Sequence, residues 1–156
     1  MVKVREAEPG DALWFTPRLR QADIDELTAA SGPDIERTLA EALDLSPRAA
    51  FVAVSPIYGP ICLFGFAAFT RLGRRAAPWA VGTEQLRLHG RSLNHFGRLY
   101  CAAALEEYDT LVNYVDDRHI ESRRWLQRIG FSMGEPEPFG VARLPFRRFE
   151  MRREHV

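Results

Sequence analysis

The residue type most suited to binding chemistry in this chain is arginine, which is concentrated in the C-terminal third. Residues 118–153 contain nine arginines and four acidic residues, whereas residues 1–50 contain ten acidic and six basic residues. A guanidinium group makes bidentate hydrogen bonds to phosphate or carboxylate, so this cluster favours an anionic partner. A solvated helix face combined with a coding preference for arginine explains the same composition more simply. The residues that would form a partner-binding surface are Arg123, Arg124, Arg147 and Arg148.

Other kinds of catalytic or metal site find little support in the spacing of residues. His89 and His95 would lie on different faces of a shared helix, and no Cys/His spacing matches a zinc site. We therefore expect no metal ion. The sequence contains neither a Gly-x-Ser-x-Gly nucleophile elbow nor a Walker loop. A Ser-His-Asp set assembled only in the tertiary structure stays open.

The composition predicts one globular domain spanning residues 1–156. Hydrophobic residues make up 46% of the chain, which is enough for a single core at this length. The N-terminus has no apolar signal core, and no apolar run approaches the ~20 residues of a membrane span. Cys62 and Cys101 lie in apolar or small-residue segments and are expected to be reduced core thiols of a cytosolic protein.

One stretch in the C-terminal half carries the strongest structural signals. Thr110–Val115 is rich in β-branched and aromatic residues and predicts a buried strand. Asp116 and Asp117 offer side-chain acceptors for the start of a helix. Gly130 suits the left-handed position at the end of that helix, and Phe131 can then pack back on it. The apolar face of the helix has i, i+3, i+4, i+7 spacing and comprises Ser122, Trp125, Leu126 and Ile129.

The rest of the chain alternates strand and helix signals. Asp23 and Glu26 have the spacing of a capping box, and Gly97 would let a neighbour pack closely on the long helix. Further strands are predicted at Val2–Arg5, Ala49–Val54, Ile61–Phe69, Trp79–Leu86 and Phe146–Arg152. Further helices are predicted at Leu13–Leu19, Gln21–Ala30, Asp34–Leu45 and Leu88–Tyr108. Two loops are predicted, at Arg71–Pro78 and at Glu135–Pro145. This order predicts an α+β protein, a mixed sheet with helices on both faces.

The element order and the helix that ends in Gly130-Phe131 resemble the GNAT (Gcn5-related N-acetyltransferase) superfamily. Within it, the sequence between residues 78 and 152 looks similar to the GNAT-like internal virion protein A family of short-tailed phages. The runs that carry this second resemblance are Gly82-Thr83-Glu84, Tyr108-Asp109-Thr110-Leu111, Asn113-Tyr114-Val115 and Trp125 to Phe131. The resemblance implies the acyl-CoA N-acyltransferase fold, a central twisted mixed sheet. It also implies a location in the cytoplasm of an infected host, or incorporation in the virion.

The resemblance to GNAT enzymes also implies roles for particular residues. The loop before the long helix would hold the pyrophosphate of acetyl-CoA, the cofactor and acyl donor, on backbone N–H groups at a helix N-terminus. Its implied cofactor-binding residues are Arg87, Gly90, Arg91 and Ser92, where Ser92 replaces the usual small third residue. Glu84 on the fourth strand would be the general base, with a pKa raised by partial burial. A paired structural carboxylate is the alternative for Glu84.

The last helix departs from the GNAT pattern. His119 stands where many GNAT enzymes have Asn, and Leu126 stands where they have the Tyr that protonates the departing thiolate. Tyr114 or Tyr108 would have to replace that tyrosine in space. The sequence therefore leaves two hypotheses. One is an acyl-CoA-dependent N-acyltransferase with a degenerate site and an amine acceptor. The other is a non-catalytic internal virion or assembly protein that binds a phage or host protein or, less favoured, nucleic acid, and no membrane.

Overall fold

The computed structural model describes residues 1–68 and 74–154, which form a seven-stranded mixed sheet flanked by helices. The strands are β1 (Lys3–Glu6), β2 (Ala50–Ser55), β3 (Gly59–Ala68), β4 (Arg75–Gly82), β5 (Thr110–Asp116), β6 (Ser132–Phe139) and β7 (Leu144–Arg152). The helices are α1 (Gly10–Phe15), α2 (Gln21–Ser31), α3 (Ile35–Asp44), α4 (Gly90–Glu107) and α5 (Ile120–Arg128). Short 3-10 helices span Thr16–Arg18 and Glu84–His89.

The sheet has the strand order β1-β2-β3-β4-β5-β7-β6, and its one parallel pair within the described residues is β4–β5. The helix α4 makes the crossover between these two strands. Their pairing is limited to Arg75 with Thr110 and Ala76 with Leu111. Beyond Ala76 the two strands separate toward their carboxyl ends. We call the resulting opening the β4–β5 gap.

Helices cover both faces of the sheet, as predicted. On one face α1 and α3 pack Phe15 and Leu39 against a row of strand residues that includes Leu63. On the other face α4 and α5 pack Cys101 and Leu126 against a cluster centred on β5. Burial of this apolar surface, worth roughly 25 cal/mol per Å², is the main force that holds the helices to the sheet. Cys62 and Cys101 are both buried free thiols, which confirms their predicted state.

The helix α5 ends as the sequence predicts. Gly130 has φ +114°, and the N–H groups of Phe131 and Gly130 donate to the carbonyls of Leu126 (3.0 Å) and Gln127 (3.2 Å). These two bonds define a Schellman motif. Close packing at Gly97 is also confirmed, because a Cβ there would lie 3.0 Å from the Trp125 ring of α5.

Gly130→Ala is expected to lower the free energy of unfolding by about 1 kcal/mol, because an L side chain is strained at a positive φ. Urea denaturation of the two proteins checks this. Gly134→Ala is a suitable control, since Gly134 lies in the neighbouring strand, its φ is not positive and an added Cβ meets nothing closer than 3.6 Å. Equal midpoints for Gly130→Ala and the unaltered protein would contradict the expectation.

Several local predictions were wrong, for identifiable reasons. The fourth strand lies at Arg75–Gly82 and not at Trp79–Leu86, because the chain turns after Gly82 and brings Leu86 back onto it. Part of the predicted loop Arg71–Pro78 is therefore strand, whereas residues 71–73, like Phe69 of the predicted third strand, lie outside the described residues. Pro78 is tolerated because its missing N–H would face the β4–β5 gap.

The predicted loop Glu135–Pro145 is mostly strand, since β6 continues to Phe139 and β7 begins at Leu144. The loop was predicted because this segment is rich in proline. β6 is an edge strand that pairs only with β7, with an irregularity between Met133 and Pro136, and prolines are tolerated at such edges.

The start of α5 is the third correction. Its cap is His119, whose Nδ1 accepts a long (3.5 Å) hydrogen bond from the Ser122 N–H, and not Asp116 or Asp117. Asp116 is the last residue of β5, and its carboxylate is bound by Arg118 instead. Within the part of the chain that the structure describes, no helix is long and apolar enough to cross a bilayer.

Candidate functional site

The β4–β5 gap exposes backbone groups that strand pairing would normally occupy. The amide nitrogen of Asn113 donates to the Pro78 carbonyl (2.9 Å), and the Gly82 N–H donates to a carboxylate on α2 (2.8 Å). Backbone groups of alternate strand residues point to the same side. The N–H and C=O of Ala80, between Pro78 and Gly82, therefore face the gap, where β5 does not pair with them among the described residues. Among the residues that the structure describes, the gap thus presents one free β4 donor, the Ala80 N–H.

A cavity of about 360 Å³ fills this gap and passes through the sheet. Leu39 and Trp79 line it on the α3 face, and Tyr100 and Trp125 line it on the α4–α5 face. The lining is mainly apolar and aromatic. Within residues 1–68 and 74–154, Glu26 and Glu41 are its acidic lining residues, and no lysine, arginine or histidine lines it. The indole N–H of Trp125 has no hydrogen-bond partner among the described residues. Such a cavity suits an extended, largely uncharged chain next to a cationic group.

Helix α2 holds the carboxyl ends of the two separated strands. Asp23 accepts from the N–H of Gly82, the last residue of β4 (2.8 Å). Glu26, one turn further along α2, accepts from the N–H of Asp116, the last residue of β5 (2.9 Å). We call Asp23 and Glu26 the α2 carboxylate clamp. The clamp replaces the missing strand pairing with two side-chain acceptors, so the gap remains open without orphaned amides at its end.

The Asp23 half of the clamp lies in a buried ion-pair network. Arg20 donates to both of its oxygens (3.1 and 2.9 Å), and His119 Nε2 lies 2.8 Å from Oδ1. Burial would raise the pKa of Asp23, but the hydrogen bonds from His119 and Arg20 outweigh it and hold that pKa below its usual value. Asp23 is therefore an ionised structural group. It is not the helix cap that the sequence predicts, since the residue before α2 is Arg20.

The Glu26 half of the clamp is different, because no cation binds its carboxylate among the described residues. Burial raises the pKa of Glu26 to about 7, although the nearby His119 lowers it. The negative charges of Asp23 and Asp116 raise it further. A carboxyl group with this pKa changes its protonation near neutral pH, which suits proton transfer.

The sequence-predicted residues Glu84 and Arg87 lie outside the cavity lining. Glu84 is in the 3-10 helix after β4, with 54% of its side chain exposed, so the expected partial burial is wrong. Its carboxylate forms an ion pair with Arg87 (2.6 Å), which also contacts Glu121 (2.8 Å). The paired structural carboxylate considered as the alternative for Glu84 matches this geometry.

The other three residues of the predicted loop lie at the start of α4. Gly90 is the first residue of the helix, and Arg91 and Ser92 follow in its first turn. A Cβ at Gly90 would meet nothing within 4 Å, so the backbone there is accessible. Gly97, which lines the cavity, lies about 10 Å further along the helix. The helix N-terminus and the cavity are therefore joined by the same helix.

The four arginines of the predicted partner-binding surface are not assembled into one patch. Arg123 and Arg147 converge on Asp117 (3.3 and 2.6 Å). Arg148 lies on the opposite face of β7 from Arg147, by strand alternation, and pairs with Glu150 (2.5 Å). Arg124 is exposed on α5. Three of the four guanidinium groups thus form ion pairs with neighbouring carboxylates, and Arg123 and Arg147 share one of them.

Leu126 occupies the position where a general acid was expected, and it is buried against the cavity. Of the two tyrosines considered as replacements, Tyr114 lines the cavity and Tyr108 does not. The Tyr114 ring stacks on Phe139 with centroids 4.2 Å apart. Burial raises the pKa of Tyr114, and a hydrogen bond with Glu137 adds to this effect. The Tyr114 hydroxyl therefore carries its proton at neutral pH.

Solved acetyltransferases have the same fold as this chain over nearly its whole length. Ard1 from Thermoplasma volcanium superposes with a TM-score of 0.72 at 13% identity, covering 99% of each chain. AAC(6')-Ib in complex with ribostamycin and coenzyme A gives 0.71 at 12% identity, covering 97% of this chain and 93% of the other. A chimera of spermidine N-acetyltransferase SpeG from Vibrio cholerae and hSSAT gives 0.67 at 13%, covering 97% and 95%.

These likenesses confirm the predicted GNAT acyl-CoA N-acyltransferase fold. No protein-family model matches the sequence, and no curated protein sequence matches it.

Proposed function

We propose that this protein is an acyl-CoA-dependent N-acyltransferase that acts on a cationic amine. The observation that carries the proposal is the cavity through the β4–β5 gap, with the free Ala80 N–H on its wall. A fixed backbone donor in a largely apolar cavity can polarise a thioester carbonyl, and such a donor stabilises the charge that develops during attack. An opening on each face of the sheet would let the acyl donor and the amine meet at the same point.

The start of α4 is the proposed site for the phosphates of acyl-CoA. Gly90, Arg91 and Ser92 form the first turn at the positive end of an 18-residue helix, where backbone N–H groups can meet a phosphate. The Arg91 side chain makes no ion pair among the described residues, so it is available to a phosphate, whereas Arg87 would first have to leave Glu84 and Glu121. The pantetheine chain would then follow α4 toward Gly97 and the cavity.

The charge of the cavity supports an amine acceptor. Among the described residues its charged lining residues are Glu26 and Glu41, and because Glu41 is paired with Arg37 (3.0 Å), Glu26 carries the unpaired negative charge. An ammonium group is attracted to such a site, whereas a carboxylate or phosphate acceptor is repelled. The fold neighbours include a spermidine N-acetyltransferase and an enzyme solved with ribostamycin. Polyamines and aminoglycosides are therefore the first acceptor classes to test.

Acetyl-CoA is expected to raise the melting temperature of the protein. At a ligand concentration of a hundred times Kd, binding adds roughly 2.7 kcal/mol to the free energy of unfolding. Gly90→Glu should abolish this shift, because it places a negative side chain where backbone N–H groups would meet phosphate. Leu99→Glu is the matched control: it adds the same charge at an exposed position of the same helix, away from its N-terminus. No shift with millimolar acetyl-CoA in the unaltered protein would refute the proposed function.

The rival proposal is a non-catalytic internal virion or assembly protein of a phage. The resemblance of residues 78–152 to that family supports it, and so does Leu126, which replaces the usual proton donor and is buried. On this proposal the arginine-rich third, including Arg124, would contact a virion or host protein. The acetyl-CoA measurement separates the two proposals, because an assembly role requires no acyl-CoA binding.

A further inference from the structure

We propose that Glu26 of α2, rather than Glu84, is the group that takes the proton from the attacking amine. This inference rests on the proposed acyltransferase function and names the general base of the same site. Glu26 lines the cavity, whereas Glu84 does not. Glu84 is also exposed and bound to Arg87 (2.6 Å).

The register of the two strands places Glu26 beside the free donor of the gap. Ala76 is paired with Leu111, so continuing the parallel register by four residues puts Val115 across from Ala80. Glu26 is anchored to the next residue, Asp116, through a 2.9 Å hydrogen bond from its N–H. The carboxyl group thus lies at the gap within about one residue of the level of the Ala80 N–H, which would hold the thioester carbonyl.

One oxygen of Glu26 is free for a substrate proton. Oε2 accepts the Asp116 N–H, whereas Oε1 has no hydrogen-bond partner among the described residues. Oε1 is not buried either, because it is not among the buried polar atoms without a partner. It is therefore accessible from the cavity or from solvent. The anchored oxygen fixes the position of the carboxyl group, and the other oxygen is left to accept a substrate proton.

The two residues of the α2 carboxylate clamp are therefore divided between two tasks. Asp23 is saturated by Arg20, His119 and the Gly82 N–H, so it holds α2 on the strand ends. No cation binds Glu26 in the described part of the chain, which leaves its charge available to a cationic acceptor. The titratable or charged groups around it are Asp23 and Arg20 beside it, Asp116 and Arg118 at the end of β5, and His119 at the start of α5.

In the proposed step, the ionised Glu26 carboxylate takes one proton from the ammonium group. The freed nitrogen lone pair then forms a C–N bond to the thioester carbonyl carbon. The C–S bond then breaks and CoA leaves as a thiolate. The second proton, which is still on nitrogen, passes to that thiolate. The amide and CoA thiol are the products, and Glu26 returns its proton to solvent.

The test is the pH profile of acetyl transfer, measured as release of CoA thiol with spermidine and kanamycin as probe amines. The unaltered protein should show a rise in kcat/KM with an inflection near pH 7, where Glu26 ionises. Glu26→Gln should lose this inflection and at least about 100-fold in rate, while its melting-temperature shift with acetyl-CoA persists. Asp25→Asn, the same charge change at the exposed neighbouring residue, should keep both the rate and the inflection.

Each outcome has a distinct meaning. No acetyl-CoA shift in the unaltered protein refutes the proposed function itself. A normal shift with the inflection retained in Glu26→Gln overturns the Glu26 assignment alone, as does loss of the inflection in Glu84→Gln but not in Glu26→Gln. A protein that binds acetyl-CoA but releases no CoA above the buffer rate with either amine also overturns it. If Glu26→Gln does not fold, the pH profile of kcat/KM of the unaltered protein provides the test. An inflection near pH 4.5 with none near pH 7 contradicts the assignment of Glu26 as the base.

Discussion

Asp23→Ala is expected to lower the free energy of unfolding by about 3–5 kcal/mol at pH 7. Asp23 and Arg20 have side chains only 2% and 7% exposed, so removing the carboxylate leaves a buried guanidinium without its main partner. His119 and the Gly82 N–H lose their acceptor in the same substitution. Urea denaturation followed by circular dichroism measures the effect.

The matched control is Asp25→Ala, which removes an exposed carboxylate two residues away on the same helix. Asp25 accepts only from the Gln21 side chain (2.8 Å) among the described residues, so its removal should change stability by less than about 0.5 kcal/mol. A loss below 1 kcal/mol for Asp23→Ala would show that the network does not hold α2 on the strand ends.

The effect of Asp23→Ala should also depend on pH in a defined direction. The pKa of Asp23 is lowered in the folded protein, so its contribution to stability is present above the pKa of the unfolded chain, about 3.9. That contribution is lost as the pH falls through the folded pKa. The difference between Asp23→Ala and the unaltered protein should therefore shrink in acid.

Ala80→Pro is expected to abolish the acetyl-CoA melting-temperature shift and to reduce acetyl transfer by about 10²–10³-fold, the usual effect of removing a donor of this kind. Proline removes the N–H that faces the β4–β5 gap and puts its ring in the same space. The free energy of unfolding of the ligand-free Ala80→Pro protein should fall much less than for proline at a paired strand position. The Ala80 N–H makes no bond to β5 and, by strand alternation, none to β3. Thermal melts with and without acetyl-CoA, together with the CoA-release assay, measure these effects.

Ala80→Ser is the control for this position, because it retains the backbone donor and adds a single hydroxyl group. It should keep most of the acetyl-CoA shift. An Ala80→Pro protein that still binds acetyl-CoA and transfers acetyl groups would show that the Ala80 N–H takes no part. If both variants lose the shift, the side chain of this residue rather than its N–H would be the important feature.

Much of the architecture follows from local patterns in the sequence. The periodic apolar face of α5 and the left-handed position of Gly130 are set by residues close together in the chain, and the structure confirms both. The same holds for the order of strands and helices, which predicts the fold class. Local patterns failed where a tertiary setting overrode them, as in β6, whose prolines are accommodated by its place at the sheet edge.

The candidate site was decided by the tertiary structure. Asp23 and Glu26 have the spacing of a capping box, and nothing local distinguishes that role from a clamp on two distant strand ends. The partner His119 is 96 residues away from Asp23 in the sequence. Its role as the cap of α5 could not be recognised from the sequence either. Sequence patterns report which face of an element is apolar. They do not report which buried carboxylate meets which backbone amide, because that depends on how separate elements pack, and here the packing of α2 over the β4–β5 gap made the site.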